Sequence, residues 1–454
     1  MNCLETFQLK KRIGLIVSGL FLALCWSPPV QHLIGTPDQL MMKQGTHRNL
    51  NLDMPVSATV TSTDDKVVAV NGQHAREVLA DLRQPLHLQS ESTGNTSVVL
   101  KLFGVIPLKT VQVHVVPDLK VIPGGQSIGV KIHSKGIMVV GYNLVRDGVK
   151  TISPAEQANI RIGDVITEID GKTVKNVDQV AKWIQQAGEN HQEMVLTIQR
   201  HEELVKTKLL PILDKESNRY RIGLYIRDSA AGVGTLTFYD PKHHVFGALG
   251  HVITDADTGQ PIQGTGKVIH ASVTSINKGE SGQPGEKRGV FIDEDHVLGE
   301  IKKNSDFGVF GSMQDNPDHA YASKEVPIAL PDEVHVGPAK ILTVIKGQKV
   351  EQFDIQIVNV FKQESPATKS MVLKVTDPRL LNKTGGIVQG MSGSPILQDG
   401  KLVGAVTHVF VNDPTQGYGV YIEWMLNEAG VQTRESQTGA TASVPNTLVH
   451  ADAS

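Results

Sequence analysis

The longest uniform stretch of the sequence, residues 220–430, has the pattern of short β-strands. It is rich in Gly, Val, Ile and Thr, and its apolar runs are divided by Gly, Asp, Asn and Pro, which form turns. Apart from Ile422–Glu428, it lacks convincing amphipathic helices. Such a chain must bury its apolar faces by closing a sheet or by packing two sheets together. We therefore predict a mainly β domain here, a barrel or a sandwich.

Residues 121–212 show a different pattern, with strands and short helices. Ser153 followed by Pro154 has the N-cap and first-turn residues of a helix start. The segment Ile162–Gly171 reads as a turn, a strand and a tight Asp-Gly turn, and Asp178–Ala187 has helical periodicity. The order of these elements, with the string S-P-A…G-D-x-I-x-x-I-D-G, resembles a PDZ domain of the kind found in bacterial proteases. We therefore expect a PDZ domain over residues 121–212.

The resemblance also implies a peptide-binding loop. PDZ domains bind a peptide as an added strand at a sheet edge, and backbone N–H groups of a Φ-G-Φ loop hold its terminal carboxylate. The matching residues are Ile128, Gly129 and Val130, and Gly129 suits a backbone that must approach the ligand closely. The alternative is that Ile128 and Val130 are ordinary core residues of a strand.

The N-terminus has the charge pattern of an export signal. Lys10–Arg12 precede the apolar run Ile13–Trp26, which predicts a cytoplasmic N-terminus and export of the rest of the chain. The run is shorter than the roughly 20 residues of a membrane-spanning helix, but Ser27–Val30 can extend it. Because no clear small-x-small cleavage site follows, an uncleaved signal anchor over residues 1–30 is favoured over a signal that is removed.

Two further segments carry no chemical motif. Residues 31–120 begin as a polar linker and continue as a small β-rich region, whose function the sequence does not reveal. Residues 431–454 are rich in Thr, Ser and Ala and are expected to form a disordered tail.

Composition excludes several classes of function. The net charge is -3 and no dense Lys/Arg stripe is present, so no nucleic-acid partner is expected. The two cysteines, Cys3 and Cys25, both lie in or before the first apolar run. A disulfide, a cysteine-based zinc site and a cysteine nucleophile are therefore excluded for the folded part.

The strongest chemical motif is Gly390–Pro395, followed by a turn at Asp399-Gly400 and the strand Leu402–Thr407. It resembles the nucleophile segment of chymotrypsin-like proteases, G-x-S-G-G-P followed by a hairpin. Ser392 falls on the nucleophile, and the N–H groups of Gly390 and Ser392 would form the oxyanion hole. Ser394 stands where that family usually has glycine. The alternative is an ordinary Gly/Ser turn between strands.

A serine nucleophile needs a base, and His251 has the most suitable context. It follows the apolar run Val245–Gly250, the setting in which chymotrypsin-like proteases place their histidine upstream of the serine. His408 lies on a strand and is expected to be a packed or solvent-facing residue. His243 and His244 lie in a polar turn.

The third member of a triad has two candidates. Asp306 opens an apolar strand 55 residues after His251, which is similar to the usual chymotrypsin-like spacing. Asp377 lies 15 residues before Ser392 and precedes Pro378, which biases its backbone to an extended conformation. The residues alone leave the choice open.

The whole chain resembles the SpoIVB family of sporulation serine peptidases. The resemblance rests on the anchor, the PDZ run, the strand Gly232–Asp240, the segment Phe246–His251 and the motif Gly390–Pro395. It implies a triad of His251, Asp377 and Ser392, with no metal or organic cofactor. It also implies export from the forespore to the space between its two membranes, self-cleavage that frees the enzyme from its anchor, and cleavage of a regulator of an intramembrane protease. That cleavage releases the processing of pro-sigma-K.

Two other functions compete with this interpretation. A non-catalytic PDZ adaptor could carry a degenerate protease domain, but the intact Gly390–Pro395 segment and the available His251 argue against it. A quality-control protease of the HtrA type has the same modules, but there the PDZ domain follows the protease domain, whereas here it precedes it.

Overall fold

The computed structural model describes Ser18 and residues 26–148, 150–313, 324–363 and 365–431, without the side chains of residues 294–295. Most of the predicted anchor (1–30) and nearly all of the predicted tail (431–454) lie outside these residues. No helix in the described part is long and apolar enough to cross a membrane. The described helices are α1 (Pro28–Gly35), α2 (Pro154–Gln157), α3 (Val177–Glu189), α4 (Pro378–Thr384), α5 (Ile422–Glu428) and a 3₁₀ turn (Pro331–Glu333).

The described part of the N-terminal unit, up to Asp118, consists of two sheets. Its strands are β1 (Gln39–Lys43), β2 (His47–Leu50), β3 (Ser57–Ser62), β4 (Val68–Val70), β5 (Glu77–Asp81), β6 (Leu86–Ser90), β7 (Gly94–Leu102) and β8 (Ile106–Val116). One sheet has the order β1-β8-β7-β3-β5 and the other β2-β6-β4. Alternate residues of β3, Ala58 and Val60, face a buried apolar core, as the period of a strand requires.

The second unit, Leu119–Val431, contains a first barrel of six antiparallel strands. They are β10 (Ser127–Tyr142), β19 (Leu224–Asp240), β20 (Val245–Ala248), β21 (Gly264–Asn277), β22 (Glu286–Ser305) and β23 (Gly308–Met313). Their pairings run β10-β19-β20-β23-β22-β21 and return to β10, which closes the ring. The short strand β9 (Lys120–Pro123) pairs with β19, and β24 (Val326–Pro327) pairs with β9. Ile128, Leu236 and Phe246 belong to the core of this barrel.

The segment between β10 and β19 folds around a core of its own. Besides α2 and α3 it contains β11 (Val145–Arg146), β12 (Thr151–Ile152), β13 (Val165–Ile169), β14 (Lys172–Thr173), β15 (Met194–Arg200), β16 (Glu203–Leu209), β17 (Ile212–Asp214) and β18 (Arg219–Arg221). Its main sheet has the order β16-β15-β13-β10. Ser153 caps α2, as the sequence predicts, by accepting a bond from the backbone N–H of Glu156. Val180 and Ile184 on α3 face the core.

A second barrel follows, made of β25 (Gly337–Val344), β26 (Val350–Val360), β27 (Met371–Val375), β28 (Pro395–Gln398), β29 (Lys401–Phe410) and β30 (Asp413–Tyr421). Its closed order is β25-β26-β27-β30-β29-β28. When the strands of each barrel are numbered one to six along the chain, both barrels have the order 1-2-3-6-5-4. The chain therefore uses one topology twice.

The predicted boundary between PDZ and peptidase regions, near residues 212–220, does not separate the two folds. The first half of β10 pairs with β21 and is part of the first barrel, whereas its second half pairs with β13. β19 also belongs to both the first barrel and the PDZ region, because Leu224–Arg227 and Ser229–Thr235 pair with successive parts of β10. The PDZ region is therefore an insertion between the first two strands of a barrel.

The predicted carboxylate-binding loop at Ile128, Gly129 and Val130 does not hold. These residues pair with β19 on one side and with β21 on the other, so neither edge is free to accept a peptide strand. Ile128 and Val130 are buried in the barrel core, which is the alternative given above. A Cβ at Gly129 would lie 2.6 Å from Cδ1 of Phe291, so this glycine is required by packing within the barrel.

Candidate active site

A cleft of about 1160 Å³ is lined by residues of both barrels. From the first barrel come His251, which follows the third strand, and Asp306, in the turn between the fifth and sixth strands. From the second come Gly390 and Ser392, in the loop between the third and fourth strands, and His408 on β29. The structure thus brings the predicted nucleophile and the predicted base to one cavity from segments far apart in the sequence.

The loop that carries Ser392 is a sharp turn that only glycine permits at position 393. Gly393 has φ +91°, a conformation that other residues rarely adopt. A Cβ at this position would lie 2.2 Å from the carbonyl oxygen of Thr235 and 2.4 Å from the backbone nitrogen of Leu249. The second glycine of the motif is therefore fixed by the approach of the two barrels to each other.

Two threonines of β19 hold the loop from the first barrel. The hydroxyl of Thr235 donates to the carbonyl oxygen of Gly390 (2.8 Å), and that of Thr237 donates to the carbonyl oxygen of Gly393 (2.8 Å). The backbone N–H of Thr235 also donates to the carbonyl oxygen of Ser392 (3.1 Å). Both threonine side chains are completely buried. This role was not predicted above, although hydroxyl residues at alternate positions of an apolar strand are a sequence signal for it.

The backbone around Ser392 fits the predicted oxyanion hole. Met391 donates its N–H to Val388 and Gly393 donates to Val406. Within the described part of the chain, the N–H groups of Gly390 and Ser392 donate to no acceptor. Two unpaired donors at these positions are what the binding of an oxyanion requires. The Ser392 hydroxyl itself donates to the carbonyl oxygen of Thr407 (2.8 Å).

His251 is held in one tautomer by a backbone carbonyl. Its Nδ1 lies 2.8 Å from the carbonyl oxygen of Val252. Because a carbonyl can only accept, Nδ1 carries a proton in this contact, so in the neutral ring Nε2 is the nitrogen with the lone pair. An imidazole in this state can accept the proton of a serine hydroxyl.

His408 lies beside His251, with the ring centroids 5.2 Å apart and the rings tilted by 43°. Desolvation in the wall of the cleft lowers the pKa of His408, and the electrostatic interactions with His251 and Lys369 lower it further. His408 is therefore a residue of the cleft. The other two histidines considered are occupied elsewhere, since Nδ1 of His243 lies 2.5 Å from Asp240 and Nδ1 of His244 lies 3.2 Å from the hydroxyl of Tyr239.

Asp377 is not among the residues that line the cleft. It is the N-cap of α4, and its carboxylate accepts bonds from the backbone N–H of Arg379 (2.9 Å) and from the guanidinium of Arg379 (2.8 Å). A further bond comes from the backbone N–H of Asp354 (3.3 Å). The hydrogen bonds from Arg379 are the main cause that lowers the pKa of Asp377 to about 2. Of the three residues of the expected triad, the structure therefore brings Ser392 and His251 together and leaves Asp377 outside.

The PDZ region has a free sheet edge at the start of β19. Leu224–Arg227 pair with β10 on one side, and no described strand pairs with them on the other. Helix α3 packs against β19, and the N–H of Val177 at its start donates to Asp228 (3.0 Å). Ile222 and Gly223, which precede this edge, and Leu224, its first residue, have the Φ-G-Φ pattern. Because a PDZ domain binds a peptide along such an edge, the candidate peptide groove is the space between β19 and α3, in place of the loop predicted at residues 128–130.

No group of three or more His, Cys, Asp or Glu side chains in the described residues is placed to hold a metal ion. The groups that line the cleft offer the chemistry of a hydroxyl, an imidazole and two backbone donors. Two barrels of one topology, with these groups in the cleft that both barrels line, define a serine peptidase with an inserted PDZ domain.

The comparisons with known proteins agree with this class. Residues 218–426 match the model of the family described as SpoIVB peptidase S55, and residues 145–200 match a PDZ domain. The match over residues 218–426 is to the family that the sequence resemblance indicated.

Solved structures with a local likeness include a protease and a PDZ domain. The Rv3671c protease from M. tuberculosis, in its active form, is 12% identical, with 46% of this chain and 78% of that chain covered and a TM-score of 0.26. The PDZ domain of an SdrC-like protein from Listeria monocytogenes is 20% identical, with 20% of this chain and 87% of that chain covered and a TM-score of 0.17. Scores this low do not establish a shared overall fold.

Proposed function

We propose that this serine peptidase is an exported endopeptidase that cleaves peptide bonds by acyl transfer through Ser392. The observation that carries the proposal is a single cleft lined by His251, Gly390 and Ser392, in which the backbone N–H groups of Gly390 and Ser392 donate to no described acceptor. The Ser392 oxygen attacks the substrate carbonyl while Nε2 of His251 takes its proton. The imidazolium then protonates the leaving amine, and water releases the acyl group by the same route in reverse.

Asp306 is the carboxylate that we assign to orient His251. It lines the same cleft and follows the fifth strand of the barrel that carries His251. In the present geometry Nδ1 of His251 donates to Val252, so a rotation of the imidazole or of the Asp306 side chain would have to form the pair. Such hydrogen bonds are often loose in a peptidase without substrate. To pair with His251 in place of Asp306, the Asp377 carboxylate would first have to break its hydrogen bonds with Arg379 and with the N-terminus of α4.

The substrates that we propose follow from the family. The resemblance described above implies a role in sporulation, self-cleavage near the anchor and cleavage of a regulator of an intramembrane protease. That cleavage would trigger the processing of pro-sigma-K. The enzyme would act in the space between the two membranes around the forespore, tethered by its N-terminus until it cleaves itself. The groove between β19 and α3 would bind segments of the enzyme or of its target.

The test compares two serines of one loop. Ser394 is fully buried and its hydroxyl has no partner in the described structure, so Ser394→Ala is a matched control for Ser392→Ala. The full-length Ser392→Ala chain should lose self-cleavage, measured by mass spectrometry, and labelling by a fluorophosphonate, with an unchanged melting temperature. Ser394→Ala should keep both activities. Undiminished cleavage by Ser392→Ala would overturn the proposed mechanism.

A further inference from the structure

A buried lysine lies directly behind the oxyanion loop. Lys287, near the start of β22, has only 2% of its surface exposed. Its backbone N–H donates to the carbonyl oxygen of Gln389 (2.8 Å), and the N–H of Gln389 donates to Gly285 (2.8 Å). The first residues of β22 thus extend the first barrel to the segment that leads into Gly390.

The side chain of Lys287 packs against Gly390 itself. A Cβ on Gly390 would lie 3.1 Å from Cβ, 3.5 Å from Cγ and 3.4 Å from Cδ of Lys287. Beyond this contact the ammonium donates to the hydroxyl of Thr343 on β25 of the second barrel (2.7 Å). The apolar stem of Lys287 therefore supports Gly390, whose N–H is one of the two oxyanion donors. The charged Nζ lies two bonds beyond Cδ.

No carboxylate in the described structure balances this charge. The Lys287 ammonium has one hydrogen bond, to the neutral Thr343, whose side chain is fully buried. The charged neighbours along the strand, Glu286 and Arg288, form an ion pair with each other and point to the other face of β22. An ammonium buried without a carboxylate costs several kcal/mol, so such a group is rare unless another charge appears near it.

We propose that Lys287 is a positioning residue for the loop that carries Gly390 and Ser392. Its ammonium stabilises the negative charge that develops on the substrate oxygen bound by the N–H groups of these two residues. In a poorly solvated interior a positive charge lowers the energy of a nearby anion far more than it does in water. The anionic oxygen of the tetrahedral intermediate is then the counter-charge that the Lys287 ammonium lacks in the free enzyme. This inference rests on the proposed function of Ser392.

A purely structural role for Lys287, as a tie between the barrels, predicts a different pH dependence. Burial lowers the pKa of Lys287 to about 7. If the ammonium assists the reaction, kcat per active site should fall as the pH rises above about 7, because the charge is then lost. If Lys287 only ties the barrels together, its charge state should leave kcat unchanged.

The experiment uses the full-length chain and hydrolysis of p-nitrophenyl acetate between pH 5.5 and 9.5. Active sites are counted by fluorophosphonate labelling of Ser392. Lys287→Met keeps the apolar stem and removes the charge, and should lower kcat tenfold to a hundredfold at pH 6 with little change in KM and no fall above pH 7. Lys287→Arg keeps its charge at every pH tested and should also lack the fall, with a higher kcat than Lys287→Met.

Thr343→Val provides a second test that leaves the lysine in place. It removes the acceptor of the ammonium, so the fall in kcat should begin at a lower pH than in the unmodified chain. Lys43→Met is the matched control, since Lys43 is a buried lysine of the N-terminal unit, and it should leave the pH profile unchanged. A Lys287→Met variant with the kcat and pH profile of the unmodified chain would overturn the inference. Failure of the unmodified chain to label at Ser392 would instead overturn the proposed function.

Discussion

At the scale of single residues, Asp306 and Asp377 differ in what surrounds each carboxylate. Asp377 has 4% of its surface exposed and accepts bonds from Arg379 and Asp354. These contacts cap a helix and balance the carboxylate charge, which are roles in stability. Asp306 is exposed in the turn before β23 and borders the cleft that holds His251. The sequence could not separate the two, because spacing along the chain does not say which barrel end a turn occupies.

We predict that Asp306→Asn lowers kcat by roughly four orders of magnitude while the protein remains folded, because a neutral amide cannot stabilise the imidazolium that forms when His251 takes the serine proton. Asp377→Asn should keep most of the activity. Ester hydrolysis per labelled Ser392 and the melting temperature of each variant test the pair. If Asp377→Asn is inactive but folded and Asp306→Asn is active, the family-based triad is correct and the cleft assignment is wrong.

Asp377 should instead determine stability in acid. Arg379 and the start of α4 hold the pKa of Asp377 at about 2, below its value of 3.8 in the unfolded chain. Its contribution to stability is therefore complete above about pH 4 and is lost as the pH falls through 2. Since Arg379 is largely solvent-exposed, we expect only about 1 kcal/mol. The difference in melting temperature between the unmodified chain and Asp377→Asn should shrink from pH 6 to pH 2, and a constant difference would contradict this role.

At the scale of elements, local sequence patterns predicted helices, strands and turns more reliably than they predicted which strands pair. The helix start at Ser153 and the Asp-Gly turn at 170–171 depend on neighbouring residues, and both are where the sequence placed them. Residues 128–130 were wrongly assigned to peptide binding, because the sequence of an apolar strand does not reveal whether its edge pairs with a peptide or with another strand of the barrel. Lys287 gave no local signal, because its burial arises from residues of both barrels that are distant in the sequence.

The groove beside α3 can be tested at Gly223. It has φ +82°, and a Cβ there would lie 2.7 Å from the hydroxyl oxygen of Ser153. Gly223→Ala should therefore displace the start of the free edge of β19. We expect weaker binding of a synthetic peptide copied from residues 31–55, measured on the full-length Ser392→Ala background, while ester hydrolysis survives in the catalytically intact variant.

Gly171→Ala is the matched control for this test. Gly171 also has positive φ (+73°), but an added Cβ would have no atom within 4 Å. This variant should leave peptide binding unchanged. Gly129→Trp should abolish binding and hydrolysis together, since the side chain would displace Phe291 inside the barrel. Loss of hydrolysis in Gly223→Ala as well would show that this edge is only structural.

At the scale of the whole molecule, the charge pattern at the N-terminus predicts which side of the membrane the barrels occupy. Lys10–Arg12 before the apolar run predict a cytoplasmic N-terminus and an exported peptidase. A phosphatase reporter that requires an oxidising compartment, fused after residue 430, should be active, and the same reporter fused after Arg12 should be inactive. The reverse result would place the cleft in the cytoplasm and remove the proposed site of action.

The insertion of the PDZ region between β10 and β19 also bears on how the chain folds. The two strands are far apart in sequence, and bringing such segments together costs loop-closure entropy. The pairs from Met138–Arg227 to Tyr142–Leu224 lie next to the inserted domain, so its folding brings the two strands into register at one end. The remaining pairs, down to Ser127–Thr235, can then form one after another, as in a hairpin. The strand pairing then costs only the closure entropy of a short loop, so the folded PDZ region offsets the kinetic cost of the long sequence separation between β10 and β19.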